Sequence, residues 1–572
     1  MSVGNPLNKE RPMKITLDIE THTNHRTIWC CGVEYEDGTK EMHYAPDTLQ
    51  SVIDEGYEVI GHNIIGFDAP VLKRVWDVDI EPTKLIDTLV MSRLYHPSVE
   101  GGHKLSAWGK RLGDSKGDFT DFDGGLCQDM IDYCHKDVAL TFKLYHHLVA
   151  ELKKSKFSDE SVQLEHEVAL IIQEQRDNGF KLDIDRATQM YMDFERRLST
   201  IEAELQLMFP AIVTERWSDK TGKRLMDGVE HFNVGSRPQI AKRLQSVGVV
   251  FTEFTDKGAV KINEEVLERV AKQRPEAAVI FEYLVLTMRA TMVKSWLAHC
   301  KEGRVHGNIS TNGAITGRMT HSSPNMGAVP KVLYDDHDVV MKGLTGGYGF
   351  ESRSCWIVKE GHKLVGMDAS GLELRMLAHY MQDQDYIDEL LDGDIHTTNM
   401  IAAGLVTRNQ AKTFIYGFLY GGGDAKLGDI VGGTKADGKR LKKNFLDGTP
   451  ALKALRDKIA RIAESGSVPA LDGRRIRIRH MHAATNSLLQ SAGAIVMKKA
   501  LVLLDKSLKA HGIPYAFVAN VHDEFQIEVP DEYVDIVGMA GVRAIKNAGI
   551  HYNMRCPLDA EYKVGNNWAE TH

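Results

Sequence analysis

The first 150 residues alternate between short apolar runs and stretches with helical spacing. KITLDIE (14–20) predicts a strand, followed by WCCGVEY and a turn at Asp37-Gly38. VIGHNIIGFDAPVLKRVW predicts a strand, a loop and a helix, and a further helical pattern covers 127–150. Strands interleaved with helices in this way predict an α/β domain over residues 1–150. The polar stretch 151–159 is a candidate linker.

Beyond residue 159 the apolar spacing is mainly helical. It begins with a pattern over 160–178 that Asn178-Gly179 closes. Residues 515–529 instead predict strand–turn–strand, with His522-Asp523-Glu524 at the turn. The sequence contains no run of about 18 apolar residues, so no membrane span is expected. Helices dominate to about residue 300, and long helical patterns recur at 374–391, 405–420, 451–464 and 484–510.

Composition narrows the class of protein only slightly. A chain of 572 residues is too long for one core and should form several domains. Seven cysteines without a C-x-x-C pair favour a reduced, cytoplasmic protein over a disulfide framework or a zinc site. The net charge of −9 does not indicate a nucleic-acid binder, but a local basic surface would suffice. Basic runs at 435–443 and 474–479 are candidates, although either could be a solvated face.

Asp18 and Glu20 lie two positions apart in the predicted strand, so their side chains point to one face. Such a pair is also common at strand edges without function. Asn63-x3-Phe67-Asp68 and Tyr133-x3-Asp137 extend the pattern, the second placing a phenol and a carboxylate on one helical face. Four converging acids repel one another unless cations neutralise them, which suits Mg²⁺ or Mn²⁺. Two such ions about 4 Å apart can activate water and stabilise a leaving 3′ oxygen.

The motifs D-x-E, N-x3-[FY]-D and Y-x3-D occur in this order within 120 residues, and here the chain resembles the DnaQ-like 3′→5′ proofreading exonucleases. The resemblance implies an RNase H-like domain with two bound metal ions, in which Tyr133 orients the attacking water. Thr21-His22 departs from the usual continuation, which puts the rate in question but not the chemistry. The implied metal ligands are four acids: Asp18, Glu20, Asp68 and Asp137.

A second pattern places two cations and two rings on one predicted helix. Arg408, Lys412, Tyr416 and Tyr420 recur every four residues and therefore share one face. They could be a solvated face beside a packing stripe. They also offer what a nucleotide needs, because cations bind phosphates and rings stack on base and sugar.

Two aspartates flank this helix in the sequence. Asp368 ends the apolar run KLVGMD, and Asp523 lies at the predicted hairpin tip. Carboxylates from two separate strands can hold two Mg²⁺ ions, one activating a primer 3′ hydroxyl and the other holding the triphosphate and the leaving pyrophosphate. The combination is far more specific than any single member.

DASGLELR (368–375), AKTFIYGFLYG (411–421) and VHDE (521–524) resemble motifs A, B and C of the family A (Pol I-like) DNA polymerases, in the wording of the phage replicative branch. The resemblance implies a template-directed DNA polymerase that adds dNTPs to a primer 3′ hydroxyl by two-metal phosphoryl transfer, with 3′→5′ proofreading, in phage DNA replication. Two Mg²⁺ ions are implied in each site, with Mn²⁺ as a substitute. The likeness continues through FNVGSRPQI (232–240), NGAITGRMTHSSPN (312–325), GDIHT (393–397) and LDGRR (471–475).

The resemblance also implies residue roles. Asp368 and Asp523 would be the catalytic metal ligands, supported by Glu524. Glu373 would be the steric gate against a ribose 2′ hydroxyl, and Tyr416 would stack beside the incoming sugar. The triphosphate would be held by Arg408, Lys412 and His396. Tyr420 and Gly421 would lie at the templating base. The duplex near the primer end would be contacted, at its minor-groove acceptors, by Arg318, Asn486, Gln490 and His522.

Taken alone, several of these residues have simpler explanations. Glu373 could be a helix-surface acid, Gln490 a core amide and His522 a packing histidine. His482 stands where the bacterial branch often has an arginine, and no role is assigned to it.

The implied architecture is multidomain, combining α/β and α+β parts. An RNase H-like exonuclease domain would cover 1–150, followed by a right-hand polymerase domain with a helical thumb at 151–310. An antiparallel palm sheet would come from 311–390 and 470–572. The fingers, 391–469, would carry the nucleotide-binding helix, which we expect to close over a correct pair.

Primer–template DNA and dNTPs are the expected partners of a monomer in the host-cell cytoplasm, without a membrane. Only 17 residues precede Asp18, which leaves no room for the 5′-nuclease domain of many bacterial relatives. Some phage relatives bind host thioredoxin through a long thumb insertion. Here the connection from Leu198 to Phe232 is short, with a polar turn at Asp219–Gly222, so a thioredoxin-type processivity factor is not expected.

Three other functions remain possible at this stage. A single-subunit RNA polymerase shares the paired aspartates, but Glu373 and the exonuclease motifs argue against it. A nuclease with a vestigial polymerase half is disfavoured because all the polymerase carboxylates are present. A DNA-binding scaffold would bind without metal and without turnover, and nothing in the sequence favours it.

Overall fold

A mixed sheet with strand order β3-β2-β1-β4-β5 opens the computed structural model, which describes residues 13–115, 117–255, 257–272, 274–335 and 337–571. β1 pairs antiparallel with β2 and parallel with β4. Its strands are β1 (Lys14–Thr21), β2 (Ile28–Tyr35), β3 (Lys40–His43), β4 (Glu58–Gly61) and β5 (Leu85–Asp87). The surrounding helices are α1 (Pro46–Asp54), α2 (Asp68–Trp76), α3 (Thr88–Tyr95), α4 (Leu105–Arg111) and α5 (Gln128–Lys154).

Successive side chains of β1 point to opposite faces of the sheet, and this decides which residues enter the core. Ile15, Leu17 and Ile19 are buried in a cluster with apolar residues of α1 and α2. Residues of opposite parity face α5, which packs against β1 and β2. The predicted α/β arrangement and the first strand are confirmed. The predicted linker at 151–159 is partly wrong, because α5 continues to Lys154.

The next region is mainly helical. It contains α6 (Asp159–Asn178), α7 (Ile184–Met208), α8 (Arg237–Ser246), α9 (Glu264–Ala271) and α10 (Pro275–His299). Gly179 follows α6 with φ 62°, a left-handed conformation that ends the helix as its sequence predicted. The strands here are β6 (Phe180–Leu182), β7 (Ile212–Thr214), β8 (Gly228–Glu230), β9 (Cys300–Lys301) and β10 (Arg304–Val305).

The remaining strands are β11 (Asn308–Ser310), β12 (Thr320–Ser322), β13 (Leu333–Tyr334), β14 (Val340–Met341), β15 (Trp356–Ile357), β16 (His362–Ala369), β17 (Ser467–Pro469), β18 (Arg475–Arg477), β19 (Ala516–Val521), β20 (Glu524–Pro530) and β21 (Ala560–Gly565). The helices are α11 (Gly349–Arg353), α12 (Leu372–Met381), α13 (Gln384–Asp392), α14 (Ile395–Ala403), α15 (Arg408–Leu419), α16 (Asp424–Asp429), α17 (Lys435–Gly448), α18 (Pro450–Ala463), α19 (Ala484–Ala510) and α20 (Val534–His551).

A second sheet, of order β19-β20-β16-β21, contains Asp368 on β16 and positions Asp523 in the turn between β19 and β20. β19 and β20 form the predicted antiparallel hairpin, with Val521 paired to Glu524. The long helix α19, largely buried, confirms the pattern predicted over 484–510. The single helix predicted over 374–391 is wrong, because Gln382 adopts φ 57° and Asp383 caps a new helix.

The chain divides into two compact units. The first contains the residues up to Asn178 together with Ile309–His321 and Val365–Tyr562, so it includes both candidate acid sets. Within it, α6 contributes to two cores. Leu164 and Val168 pack with the β16–β20 region, while Ala169 packs with the first sheet.

The second unit comprises Gly179–Asn308, Ser322–Leu364 and the residues from Lys563 onward. α7 packs along α10, and Arg197 Nε lies 2.8 Å from Glu282 Oε1 between them. The hairpin β7–β8 ends in the polar turn predicted from the sequence, where Gly222 donates to the Ser218 carbonyl at 2.8 Å. The division into thumb, palm and fingers that the sequence resemblance implies stays a prediction.

Among the residues that the structure describes, one helical segment is long and apolar enough to cross a membrane by composition alone. It covers Met481–Ala510, and 78% of its most apolar window is buried inside the protein. Core helices of globular proteins have the same composition, so this segment is weak evidence for a membrane span.

A buried ion network within the first unit connects Glu165 of α6 with α19 and with the residues just before β18. The Glu165 Oε1 atom lies 2.7 Å from Arg474 Nη1 and 2.6 Å from Lys498 Nζ. Arg474 also contacts Asp472 at 2.6 Å, and no side chain among these four is more than 4% exposed. Burial lowers the pKa of Lys498 to about 8, against the raising effect of Glu165. Arg474 is therefore part of the interior and not of a solvated basic face.

Replacing Glu165 by alanine should lower the free energy of unfolding by about 3–5 kcal/mol, because it leaves Arg474 and Lys498 buried with an unbalanced charge. Urea-induced unfolding followed by circular dichroism measures this loss. The matched control is Glu167→Ala on the same helix, whose 2.8 Å pair with the 60% exposed Lys506 should contribute at most about 1 kcal/mol. Equal losses in both variants would contradict a special contribution from the buried network.

Candidate active sites

The first acid pair lies on β1, opposite β2. Asp18 pairs with Gly32 and Glu20 with Cys30 in the antiparallel register. Paired residues of antiparallel strands project to the same face, so these four positions all face α5. Glu20 is buried and Asp18 is partly exposed.

Asp68 reaches the same strand from the start of α2. Its Oδ1 accepts a hydrogen bond from the backbone N–H of Ile19 at 3.3 Å, between Asp18 and Glu20. The loop leading to Asp68 is held by Asp87, which accepts backbone N–H bonds from Asn63 at 2.9 Å and Ile65 at 3.2 Å. Sequence reasoning missed Asp87. Its only signal was its place just before a helix, which Asp87 caps through the N–H of Leu89.

Helix α5 supplies the remaining members of this site. Tyr133 and Asp137 lie one turn apart on it, and Asp137 is 2% exposed. Cys134, between them, places its Sγ within 4.8 Å of a carboxylate oxygen of Asp18 and of Glu20. The pKa of the Cys134 thiol lies well above its ordinary value because of its side-chain hydrogen bond with Cys30 and its burial beside acids. Sequence reasoning gave Cys134 no role.

A cleft of about 920 Å³ opens beside Tyr133. The ring of Tyr133 packs near Phe119 and Phe122, with centroids 5.8 and 6.0 Å away. Cationic and aromatic side chains of this kind suit a single strand of nucleic acid, because cations attract phosphates and rings stack on bases. The lining includes His62, Asn63, Arg93, His103, Lys104, Lys110, Phe119 and Tyr133.

Asp368 and Asp523 come together through the second sheet. Asp368 lies near the end of β16, and the N–H of the next residue, Ala369, donates to the Asp523 carbonyl at 3.3 Å. Asp523 follows His522, whose φ of 57° forms the tight tip between β19 and β20. Burial and the nearby charge of Glu373 raise the pKa of Asp523 to about 6. A bound cation relieves such a concentration of negative charge, so the acids fit a divalent metal ion.

Glu373 is held at this site by two partners. Gly371, at φ 58°, lets the chain turn from β16 into α12, so that Glu373 lies in the first turn of the helix. Its Oε1 accepts from the Tyr420 hydroxyl at 2.5 Å and lies 3.6 Å from Arg318 Nη2. Tyr420 and Arg318, both predicted site residues, thus contact the same carboxylate of Glu373.

Helix α15 begins with a capping box formed by Thr407 and Gln410. The pKa of Tyr416 is raised by burial and by the charges of Glu373, Asp523 and Asp368, so the acids lie close to the helix. The Tyr416 ring is 6.5 Å from that of His396 on α14. Burial, and then the cations Arg408 and Lys412, lower the pKa of His396, which places these three side chains together.

Asp394 is a further member that sequence reasoning missed. Its carboxylate accepts from Arg408 Nε at 2.9 Å and from the Thr397 hydroxyl at 2.7 Å. It also caps α14 through the N–H of His396. The contact with Asp394 is made by Nε of Arg408, whose guanidinium carries two further nitrogens. The helix-capping position of Asp in GDIHT was the available signal.

The residues predicted to contact DNA lie at four places: the end of α15 (Tyr420 and Gly421), the loop before β12 (Arg318), α19 (Asn486 and Gln490) and the turn between β19 and β20 (His522). Asn486 Oδ1 accepts from Gln490 Nε2 at 3.0 Å on α19. A Cβ atom at Gly421 would lie 3.7 Å from Asn486 Nδ2, so the end of α15 is next to α19. His482, which had no assigned role, lines a cavity of about 360 Å³ together with Gly421 and Asn486.

Comparison with known families agrees with this geometry. A family model described as DNA polymerase family A matches residues 214–570, and one described as 3′-5′ exonuclease matches residues 7–153. The DNA-directed DNA polymerase of Escherichia phage T7 is 34% identical, across 98% of this chain and 100% of that relative. The enzyme of the same name from Enterobacteria phage T3 is also 34% identical, across 96% and 98%.

A solved structure shares the fold. The POL domain of Pol1 from M. smegmatis, in complex with DNA primer-template and dNTP, superposes with a TM-score of 0.78. It covers 98% of this chain and 96% of that structure, at 19% identity. The mixed α/β and α+β class expected from the sequence is confirmed. The chain belongs to DNA polymerase family A and carries a 3′-5′ exonuclease domain.

Proposed function

We propose that this chain copies a DNA template by adding dNTPs to a primer 3′ hydroxyl and removes misincorporated nucleotides, in phage DNA replication. The observation that carries the proposal is the convergence of Asp368, Asp523 and Glu373 on Tyr416, on the face of α15 that also presents Arg408 and Lys412. Its test is primer extension with purified chain on a primer–template, with and without a mismatched primer end. Failure to extend a matched primer with Mg²⁺ would contradict it.

Family A polymerase domains and 3′-5′ exonuclease domains generally use divalent metal ions. We assign two Mg²⁺ ions to each site, replaceable by Mn²⁺, with Asp368 and Asp523 as ligands in the polymerase. When bound, such ions lower the pKa of the attacking hydroxyl or water and stabilise the leaving oxygen. Glu524, buried next to Asp523, supports that ligand. In the exonuclease the ligands are Asp18, Glu20, Asp68 and Asp137.

The cations on α15 and His396 hold the triphosphate. Asp394 orients Arg408 through Nε, which leaves the terminal nitrogens of the guanidinium for phosphate oxygens. Tyr416 stacks beside the incoming sugar, and Tyr420 and Gly421 lie at the templating base. Arg318, Asn486, Gln490 and His522 contact the duplex near the primer end. Closure of α15 over a correct pair completes the site.

In the exonuclease, Tyr133 orients the attacking water beside the four acids. The cleft next to Tyr133 supports the binding of an unpaired primer end, since it combines rings with Arg93, Lys104 and Lys110. We place the enzyme in the host-cell cytoplasm as a monomer that acts without thioredoxin. The short β7–β8 hairpin between α7 and α8 supports the last point.

Glu373→Ala should lower discrimination against ribonucleotides by at least about tenfold, a change of about 1.4 kcal/mol in relative barrier height. The physical reason is that alanine removes the bulk that would meet a 2′ hydroxyl. The ratio of kcat/KM for a dNTP and the matching rNTP measures it. Glu373→Gln is the control, because it keeps the bulk and an oxygen for Tyr420. Unchanged discrimination in Glu373→Ala would mean that Glu373 is not the gate.

Tyr416→Phe should make the enzyme reject dideoxynucleotides about 10- to 100-fold more strongly. The phenol can replace the hydrogen bond of the missing 3′ hydroxyl, and a hydrogen bond to a charged group contributes about 1.5–3 kcal/mol. Competition between dNTP and ddNTP in primer extension gives the ratio. Tyr420→Phe is the matched control, since that hydroxyl bonds to Glu373 instead. Equal tolerance of dideoxynucleotides in Tyr416→Phe would rule out this account.

A further inference from the structure

A thiol lies within the acid pair of the exonuclease domain. Cys134 Sγ, a carboxylate oxygen of Asp18 and one of Glu20 all lie within 4.8 Å of one another. Throughout the part of the chain that the structure describes, no other group of three His, Cys, Asp or Glu side chains meets this spacing. The chemistry of this site is therefore not that of carboxylate oxygens alone.

The local fold places the thiol there. Asp18 pairs with Gly32 across the β1–β2 ladder, so the position beside Asp18 carries no side chain. Side chains of α5 fill the space left by the missing side chain. A Cβ atom at Gly32 would lie only 2.9 Å from Cys134 Sγ and 3.1 Å from Val138 Cγ2. The thiol donates to the backbone carbonyl of Asp18 at 3.6 Å. Cys134 is fully buried.

The spacing suits a common cation. Zinc bonds of about 2.3 Å to sulfur and about 2.0–2.2 Å to oxygen place tetrahedral ligand atoms roughly 3.5 Å apart. The observed upper bound of 4.8 Å therefore needs only small side-chain rotations. Thiolate ligands favour soft or borderline cations over Mg²⁺, which prefers oxygen.

We propose that Asp18, Glu20 and Cys134 together bind a thiophilic divalent cation, of the Zn²⁺ or Cd²⁺ class, in the exonuclease domain. On binding, the thiol proton passes to solvent and sulfur becomes a ligand. The proposal rests on the proposed function in one respect, that Asp18 and Glu20 are cation ligands. Asp368, Asp523 and Glu524 offer only carboxylate oxygens, so a thiophilic cation should bind the exonuclease site more tightly than the polymerase site.

The test is a titration of the intact chain with Cd²⁺ alone, without DNA, followed by thiolate-to-metal charge-transfer absorption. One equivalent should produce the band in the wild type. Cys134→Ala should lose it, and so should Asp18→Asn combined with Glu20→Gln, since the remaining ligands are too few. Thermal melting shows whether Cys134→Ala is folded. If alanine impairs folding, Cys134→Ser is used as the second variant.

Cys31→Ala is the matched control. Its thiol is also buried, but it packs in the core on the opposite face of β2, outside the ligand group, so the band should remain. Absence of the band in the wild type, or its persistence in folded Cys134→Ala or Cys134→Ser, would overturn the proposal. Failure of the proposed exonuclease function can be distinguished from failure of this proposal. In the first case the wild-type chain would not degrade a mismatched primer with Mg²⁺ alone.

Discussion

Asp368→Asn should reduce nucleotide incorporation by about 1000-fold or more, while degradation of a primer 3′ end continues. The substitution removes one negative charge from the acids that the Ala369–Asp523 contact brings together. Metal ions at such sites contribute several kcal/mol to transition-state stabilisation, and each 1.36 kcal/mol corresponds to a factor of ten in rate. Single-turnover extension of a matched primer measures the first effect, and shortening of an end-labelled primer without dNTPs measures the second.

Asp388→Asn provides the control for this prediction. Asp388 is an exposed acid of α13 whose carboxylate accepts a 2.7 Å bond from Gln384, and its loss should leave both rates within about twofold. Retained incorporation in Asp368→Asn would contradict the assignment of the polymerase centre. Parallel loss of both activities would indicate that the variant has lost its fold.

The combination of Asp18→Ala and Glu20→Ala should abolish degradation of a mismatched primer, with a fall of about 1000-fold, while polymerisation survives. Both substitutions remove carboxylates from the face of β1 covered by α5. Four converging acids are needed to hold cations there, and the loss of two leaves too few ligands. The measurement is the release of the terminal nucleotide from a primer with a mismatched 3′ end.

Asp54→Ala combined with Glu55→Ala is the corresponding control, since both acids are exposed at the end of α1 in the same domain. The control should degrade the primer at the wild-type rate. Persistent degradation by the Asp18→Ala, Glu20→Ala variant would mean that another set of acids performs the hydrolysis. Extension of a matched primer at an unchanged rate would show that the two centres work separately.

Local sequence signals predicted the elements that carry the chemistry. β1, the β19–β20 hairpin and α15 follow from apolar periodicity and turn residues, and each lies where its pattern indicated. The grouping of the acids could not be derived in the same way. It depends on sheet order and on the contact of Ala369 with Asp523, which joins residues far apart in the chain. The resemblance to known motifs supplied that grouping.

The supporting residues were harder to predict. Asp87 and Asp394 act through hydrogen bonds to a loop and to Arg408, and isolated acids before helices give no sign of such partners. The place of Cys134 depends on the register that sets Gly32 opposite Asp18. The break at Gln382 was missed because apolar periodicity continues across it, while a single left-handed residue redirects the chain.

The shared helix α6 has a consequence for engineering. A polymerase without proofreading is often sought by truncating a chain ahead of its polymerase region. Here, truncation through Asn178 would remove Leu164 and Val168 from one core and Glu165 from its contacts with Arg474 and Lys498. A proofreading-deficient form of this enzyme should therefore be made by point substitution on β1, with the whole N-terminal region retained as a structural scaffold of the polymerase.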